Sequence, residues 1–322
     1  MNDPASLSSQ TRPTSFVDAA TVMRVKNLQW RAKTVVEGFY NGLHRSPFHG
    51  FSVEFSEYRQ YAPGDDPRYL DWKLYARSDR YYIKRFEDET NRRCYLLLDL
   101  SRSMAFQSGD YTKADYGRTL AATLGYYLTL QRDNVGLLTF DEKIGDYLPA
   151  RHRNGHLHQL MGMLERSTAG EGTDLLGPLD QIARLVVKRG LIILISDLLA
   201  PTDELQRHLG YLRSRGHEIM LLRVLDPAEI AFEFDESSTF RDLENSREIY
   251  IDPQVAREDY LKRFQDHSDQ LTSICANMGI DLVTMPTDSP LEIALLELLT
   301  AQMRQGKSTL RHRARPERRQ TP

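Results

Sequence analysis

The 322 residues hold 42 Lys/Arg against 45 Asp/Glu, a formal charge of −3, with 40% apolar and 27% charged side chains. That length builds one large domain or two ordinary ones around a full core, and the near-neutral balance excludes a protein drawn onto nucleic acid by its overall field. Cys94 and Cys275 are the only cysteines and form no Cys-x-x-Cys pair, so a disulfide framework is excluded and the cytoplasm is the expected compartment. No basic-then-apolar leader opens the sequence, and no apolar run reaches the roughly 20 residues that cross a bilayer, so no transmembrane span is expected.

Residues 1–14 are rich in Ser, Thr and Pro and are expected to lack order. Ser15 followed by Asp18 resembles a capping box, and Val25, Leu28, Ala32, Val35, Val36, Phe39 and Leu43 recur at helical spacing, predicting one amphipathic helix over about 17–41. Phe51, Val53 and Phe55 alternate with polar residues and predict a strand. A second strand is expected over 81–86, beyond the turn Pro63-Gly64-Asp65-Asp66-Pro67. Between these strands stand Arg59, Asp65, Asp66, Arg68, Asp71, Trp72 and Arg77. So many opposed charges around one Trp read as a bidentate Arg–Asp network holding a small β-subdomain together, or as a partner-docking surface. Helix and β-subdomain together are expected to fill residues 15–92.

From residue 93 to 305 strands and helices alternate. Strands are expected at 95–99, 135–140, 191–196, 218–224 and 280–283, and helices at 112–132, around 157–164 and 176–186, at 203–215, 254–278 and 291–303. A hairpin insertion is expected within 228–252. The pattern predicts an α/β fold with a doubly wound, mostly parallel Rossmann-like sheet. Residues 307–322 carry six Lys/Arg and one Glu, a local +5 that leaves the remainder of this −3 chain at −8. Residues 306–322 are therefore expected to form a basic disordered tail, and nucleic acid enters the reading only through that tail.

The chemistry concentrates at residues 95–104, Tyr-Leu-Leu-Leu-Asp-Leu-Ser-Arg-Ser-Met. An apolar run ending in an acid reads as a buried strand whose carboxyl end opens on the crevice where open α/β sheets collect ligands. Asp99, Ser101 and Ser103 stand there. A second such strand ends in Ser196-Asp197, and the loop Ala169-Gly-Glu-Gly-Thr173-Asp174 brings another hydroxyl and acid. Hard, mostly neutral oxygens backed by two carboxylates suit a weakly held Mg²⁺-like cation and leave coordination positions for water or for a partner's carboxylate. For Ser101 and Ser103 alone, simple capping of the following helix is the competing explanation.

Asp99-x-Ser101-x-Ser103, Thr173 and Ser196-Asp197 resemble the metal-ion-dependent adhesion site of von Willebrand factor type A domains. The resemblance implies that Ser101, Ser103 and Thr173 approach Mg²⁺, or another divalent cation such as Mn²⁺. It also implies that Asp99 and Asp197 act mostly through water, and that an acidic residue of a partner completes the shell. Arg59-x-Tyr61-x-Pro63-Gly-Asp-Asp-x-Arg68, with Asp71-Trp72 and Ala76-Arg77, resembles the signature of the domain of unknown function 58 family. The two likenesses cover roughly residues 30–225. They imply a von Willebrand A-like interaction module without enzymatic activity, encoded beside a MoxR-type AAA+ ATPase and acting with it in chaperone-like maturation or remodelling of client proteins. Longer members carry N-terminal membrane spans, and none is expected in this sequence.

Other readings stay open. Asp99 at a strand end suits the nucleophile of a Mg²⁺-dependent phosphohydrolase, although such enzymes place a second Asp where Ser101 stands. A metal-independent scaffold would make its contacts through the Arg–Asp–Trp block. His152, His156 and His158 form a weak zinc candidate without a Cys or acidic neighbour. No Walker-type phosphate loop is present, so nucleotide would be handled by a partner. Asp115, Asp133 and Asp141 read as capping or solvated acids.

Overall fold

A computed structural model describes residues 17–45, 58–60, 81–84, 92–166, 176–232, 238–241, 248–251 and 253–313. The chain divides into two compact units, one comprising residues 1–42 and 92–322 and the other Leu43–Asn91. In the smaller unit β1 (Tyr58–Gln60) pairs antiparallel with β2 (Tyr82–Lys84), with Arg59 opposite Ile83. The strand expected around Phe51 to Phe55 lies outside the described residues.

The first helical segment belongs to the larger unit, so the expected grouping of the helix with the β-subdomain is revised. It is also two helices. Asp18, not Ser15, caps α1 (Ala19–Met23) by accepting from the Thr21 amide at 3.0 Å. Asn27 then accepts from the Trp30 amide at 2.9 Å and opens α2 (Leu28–Arg45). An Asn side chain that competes for backbone donors restarts a helix rather than continuing one, which is why the single expected helix breaks.

The sheet of the larger unit contains β3 (Arg93–Asp99), β4 (Asn134–Phe140), β5 (Ile144–Arg151), β6 (Leu191–Ser196), β7 (Glu218–Leu225) and β10 (Asp281–Pro286). Their order is β10-β7-β6-β3-β4-β5, parallel throughout except for β5. This is the doubly wound α/β sheet that the sequence predicts. The antiparallel edge β5 was not expected, because Pro149 and a half-exposed face blur its alternation; Pro is tolerated on an edge strand.

Helices cover both faces. α3 (Lys113–Leu130) opens on a full capping box between Thr112 and Asp115. It lies close enough on the sheet that a Cβ at Gly117 would touch Leu98 at 3.1 Å. Against α3 pack α2, through an edge-on Phe39–Tyr127 ring contact at 6.2 Å, and α4 (His156–Arg166). The opposite face is covered by α5 (Leu176–Leu185), α6 (Thr202–Ser214) and α8 (Pro253–Met278). Their Leu179, Ile182, Leu205, Leu209, Leu271 and Cys275 bury with Tyr95, Leu97, Ile192, Leu194 and Leu221 of the strands. Leu96 and Leu98, also fully buried, point the other way, the alternation a strand imposes.

A short helix, α7 (Pro227–Ala231), leads towards the expected hairpin, β8 (Ser238–Arg241) with β9 (Glu248–Ile251). The last helix, α9 (Glu292–Arg313), runs through Lys307 to Arg313, so the expected disordered tail does not begin at residue 306. No proline stops it before Pro316. Fully buried Glu292 accepts the Val17 amide at 3.0 Å, tying the segment before α1 to the start of α9.

Candidate divalent-cation site at the sheet's switch point

After β3 the chain passes through α3 to β4 on one side, and later returns to place β6 on the other. The carboxyl end of β3 is therefore the place where the winding reverses, the position at which open α/β sheets generally take their ligands. The Leu98↔Ile195 pairing sets Asp99 beside Ser196. Asp99 is almost wholly buried and both its oxygens are held: Oδ1 accepts the Ser101 amide at 2.8 Å, and Oδ2 accepts the Ser196 hydroxyl at 2.6 Å. Each retains a lone pair for a further donor or for water.

Ser101 precedes a 3₁₀ turn, Arg102–Ala105, but its side chain caps nothing there. Instead Ser101 Oγ and Ser103 Oγ face each other at 3.1 Å. They share a hydrogen bond, and their separation is also close to the about 2.9 Å between neighbouring oxygens of an octahedral Mg²⁺ shell, so the two hydroxyls are spaced to serve one ion. Burial first, and the Asp197 carboxylate second, raise the Asp99 carboxyl to about 6, against the lowering effect of the Ser196 and Ser101 hydrogen bonds.

Asp197 reaches the same place from β6. Leu198, fully buried with φ +56°, turns the chain left-handed, and its amide donates to Ser196 Oγ at 3.0 Å. A non-glycine residue in that region is uncommon and marks a backbone held by its surroundings. The turn keeps Asp197 inward while Leu199 emerges 44% exposed.

Two residues that sequence reasoning missed hold Asp197, and a third, Glu229, holds one of them. Lys113, fully buried at the first position of α3, donates to Asp197 Oδ2 at 2.9 Å and to Glu229 Oε1 at 2.6 Å. Burial works against its charge, but the two carboxylates outweigh it and the ammonium's pKa is raised. Buried Arg223 donates from Nε to the Asp197 carbonyl at 3.2 Å and from Nη1 to Ser268 of α8 at 2.8 Å. Glu229 itself is fixed by a capping box with Asp226. One signal for Lys113 was present in the sequence: a lysine in the first turn, just after a Thr cap, opposes the helix dipole and calls for nearby acids.

Thr173 and Asp174 lie outside the described residues, as do Asp65, Asp66, Arg68, Asp71, Trp72 and Arg77. Arg59 is placed in β1 by its backbone alone. His156 is buried and donates from Nε2 to the Val135 carbonyl at 2.6 Å, while His152 and His158 are exposed. Among the described residues no three His, Cys, Asp or Glu side chains gather as a metal cluster, so a cation here would rest on hydroxyls with Asp99 and Asp197. Asp115 closes its capping box, Asp133 accepts the Arg92 amide at 3.1 Å and Asp141 the Lys143 amide at 2.9 Å.

The family described as "Protein of unknown function DUF58" matches residues 57–270. The chain belongs to the DUF58 family. A relative of this DUF58 protein, "Uncharacterized protein Rv1480" of Mycobacterium tuberculosis, is 26% identical over 276 residues, 84% of this chain and 86% of its own. Among solved structures, BatB from Bacteroides thetaiotaomicron aligns at 16% identity and a TM-score of 0.45, over 66% of this chain and 98% of that one. The SpRpn10 VWA domain aligns at 13% identity and a TM-score of 0.37, over 63% and 92%. No described helix is long and apolar enough to cross a membrane.

Proposed function

We propose that this DUF58 protein is a Mg²⁺-dependent protein-interaction module of the cytoplasm, without catalytic turnover of its own. The observation that carries the reading is the meeting of Asp99, Ser101 and Ser103 at one strand end, with Ser196 binding Asp99 and Asp197 following it from the next strand. Ser101 and Ser103 would hold the cation directly, Thr173 with them, and Asp99 and Asp197 would act through water. The cation supplies a Lewis-acidic point that an acidic side chain of a partner can occupy. Exposed Leu199, two residues past Asp197, offers that partner an apolar contact beside its carboxylate.

As partner we propose a MoxR-type AAA+ ATPase, or a client protein delivered to it, so that nucleotide hydrolysis in the ATPase drives maturation of the client. The phosphohydrolase alternative is disfavoured because Ser101 stands where such enzymes place the second Asp that serves as acid and base. The test is capture from lysate by wild type and by Asp99→Ala, each with Mg²⁺ and with EDTA, after circular dichroism shows equal folding. An ATPase or client retained only by wild type with Mg²⁺ supports the reading. Equal retention in all four conditions overturns it, and turnover of an aryl phosphate lost in Asp99→Asn would favour the enzyme instead.

A further inference from the structure

Lys113 has no place in a plain hydroxyl-and-carboxylate cation site, yet it sits fully buried against one of that site's two acids. Burying an ammonium is costly unless it is paired, and the first turn of a helix is an unfavourable place for a cation. Both penalties are met by Asp197 at 2.9 Å and Glu229 at 2.6 Å. Glu229 is mostly buried and comes from α7, an element that contributes nothing else to the site. Lysine and glutamate thus form a buried ion pair that meets the cation site at Asp197.

We propose that Lys113 is an internal counter-ion that sets the divalent-cation affinity of the site. It neutralises Asp197 so that a divalent cation binds weakly until a partner's carboxylate joins it, and Glu229 restrains that effect by sharing the ammonium. The inference rests on the divalent-site reading above. Its physical basis is charge alone. With Lys113 present, Lys113, Asp197 and Glu229 together carry one negative charge beside Asp99; without it they carry two. At an effective dielectric near 20, one unit charge within several ångströms of a divalent ion changes binding by about tenfold or more. A lysine serving only to orient Asp197 would have the opposite signature, since its removal would loosen an acid of the site and weaken binding.

The test uses the full-length chain and Mn²⁺ alone as probe, titrated by electron paramagnetic resonance, with Asp99→Ala as the control for site-specific signal. Lys113→Met should bind Mn²⁺ about tenfold or more tightly than wild type. The pair Lys113→Met with Glu229→Gln restores the original charge and should return to within about threefold of wild type. Folded Lys113→Met that binds no more tightly than wild type overturns the inference. If that variant does not fold, Glu229→Gln alone decides: it leaves the ammonium wholly on Asp197 and should weaken binding about tenfold, whereas unchanged or tighter binding overturns the inference. If neither wild type nor any folded variant binds Mn²⁺ through Asp99, the divalent-site reading itself has failed.

Discussion

The Ser196 hydroxyl donates to Asp99 Oδ2 at 2.6 Å and accepts the Leu198 amide at 3.0 Å, so one buried side chain ties the ends of β3 and β6 and pins the turn that carries Asp197. Ser196→Ala removes both contacts and strands a buried acceptor and a buried donor. Unfolding in urea should show a loss of about 2–4 kcal/mol, more than a typical single hydrogen bond because the groups left behind stay dry. Divalent-cation binding should weaken in the same variant. A loss below about 0.5 kcal/mol would mean that the Ser196 link is not maintained in solution.

Asp99 gives the stability of the cation-free protein a definite pH signature. Its carboxyl is raised to about 6 by burial and by Asp197, above the ordinary 3.8. An acid raised in the folded state holds its proton more tightly there than in the unfolded chain. The stability it contributes is therefore full at low pH and lost as pH rises from about 4 through about 6. Chemical unfolding across that window should show wild type losing on the order of 1–3 kcal/mol relative to Asp99→Asn, whose side chain does not titrate. Parallel profiles for the two proteins would show that Asp99 is not perturbed.

Gly190 guards the β3–β6 register at the far end of the same strands. A Cβ there would collide with the Arg93 carbonyl oxygen, a backbone atom that cannot swing aside. Gly190→Ala should lower the melting temperature and cost about 1–3 kcal/mol. By contrast Gly162→Ala, where an added Cβ meets nothing within 4 Å on the α4 helix, should be neutral or mildly stabilising.

What the sequence disclosed and what it withheld divide along the range of the interactions. β3 and β6 were legible because a fully buried parallel strand is a continuous apolar run, and the acid ending each run marked the carboxyl end of the sheet. Ser101 and Ser103 were legible because they are local to Asp99. Lys113 and Glu229 were not, because their contact spans 116 residues and neither stands in a patterned string. The split between α1 and α2 was hidden because Val25 and Leu28 keep the apolar period through a segment where Asn27 restarts the backbone hydrogen bonds. The separate unit of residues 43–91 is legible as a change of texture, but not where it begins, because the periodicity of α2 suits packing on either unit equally well.

In the function proposed above, a divalent cation on Asp99, Ser101 and Ser103 joins this protein to an acidic residue of a partner. The most direct measurement is the affinity of the purified full-length chain for a purified MoxR-type AAA+ ATPase from the same cell, by calorimetry, in Mg²⁺ and in EDTA, beside Ser101→Ala with Ser103→Ala. Binding in Mg²⁺ should fall at least about tenfold in EDTA, and equally in the double variant, consistent with loss of one charge-assisted contact of about 1.5–3 kcal/mol. Binding of equal strength in all conditions would contradict it and move the contact away from the sheet's switch point.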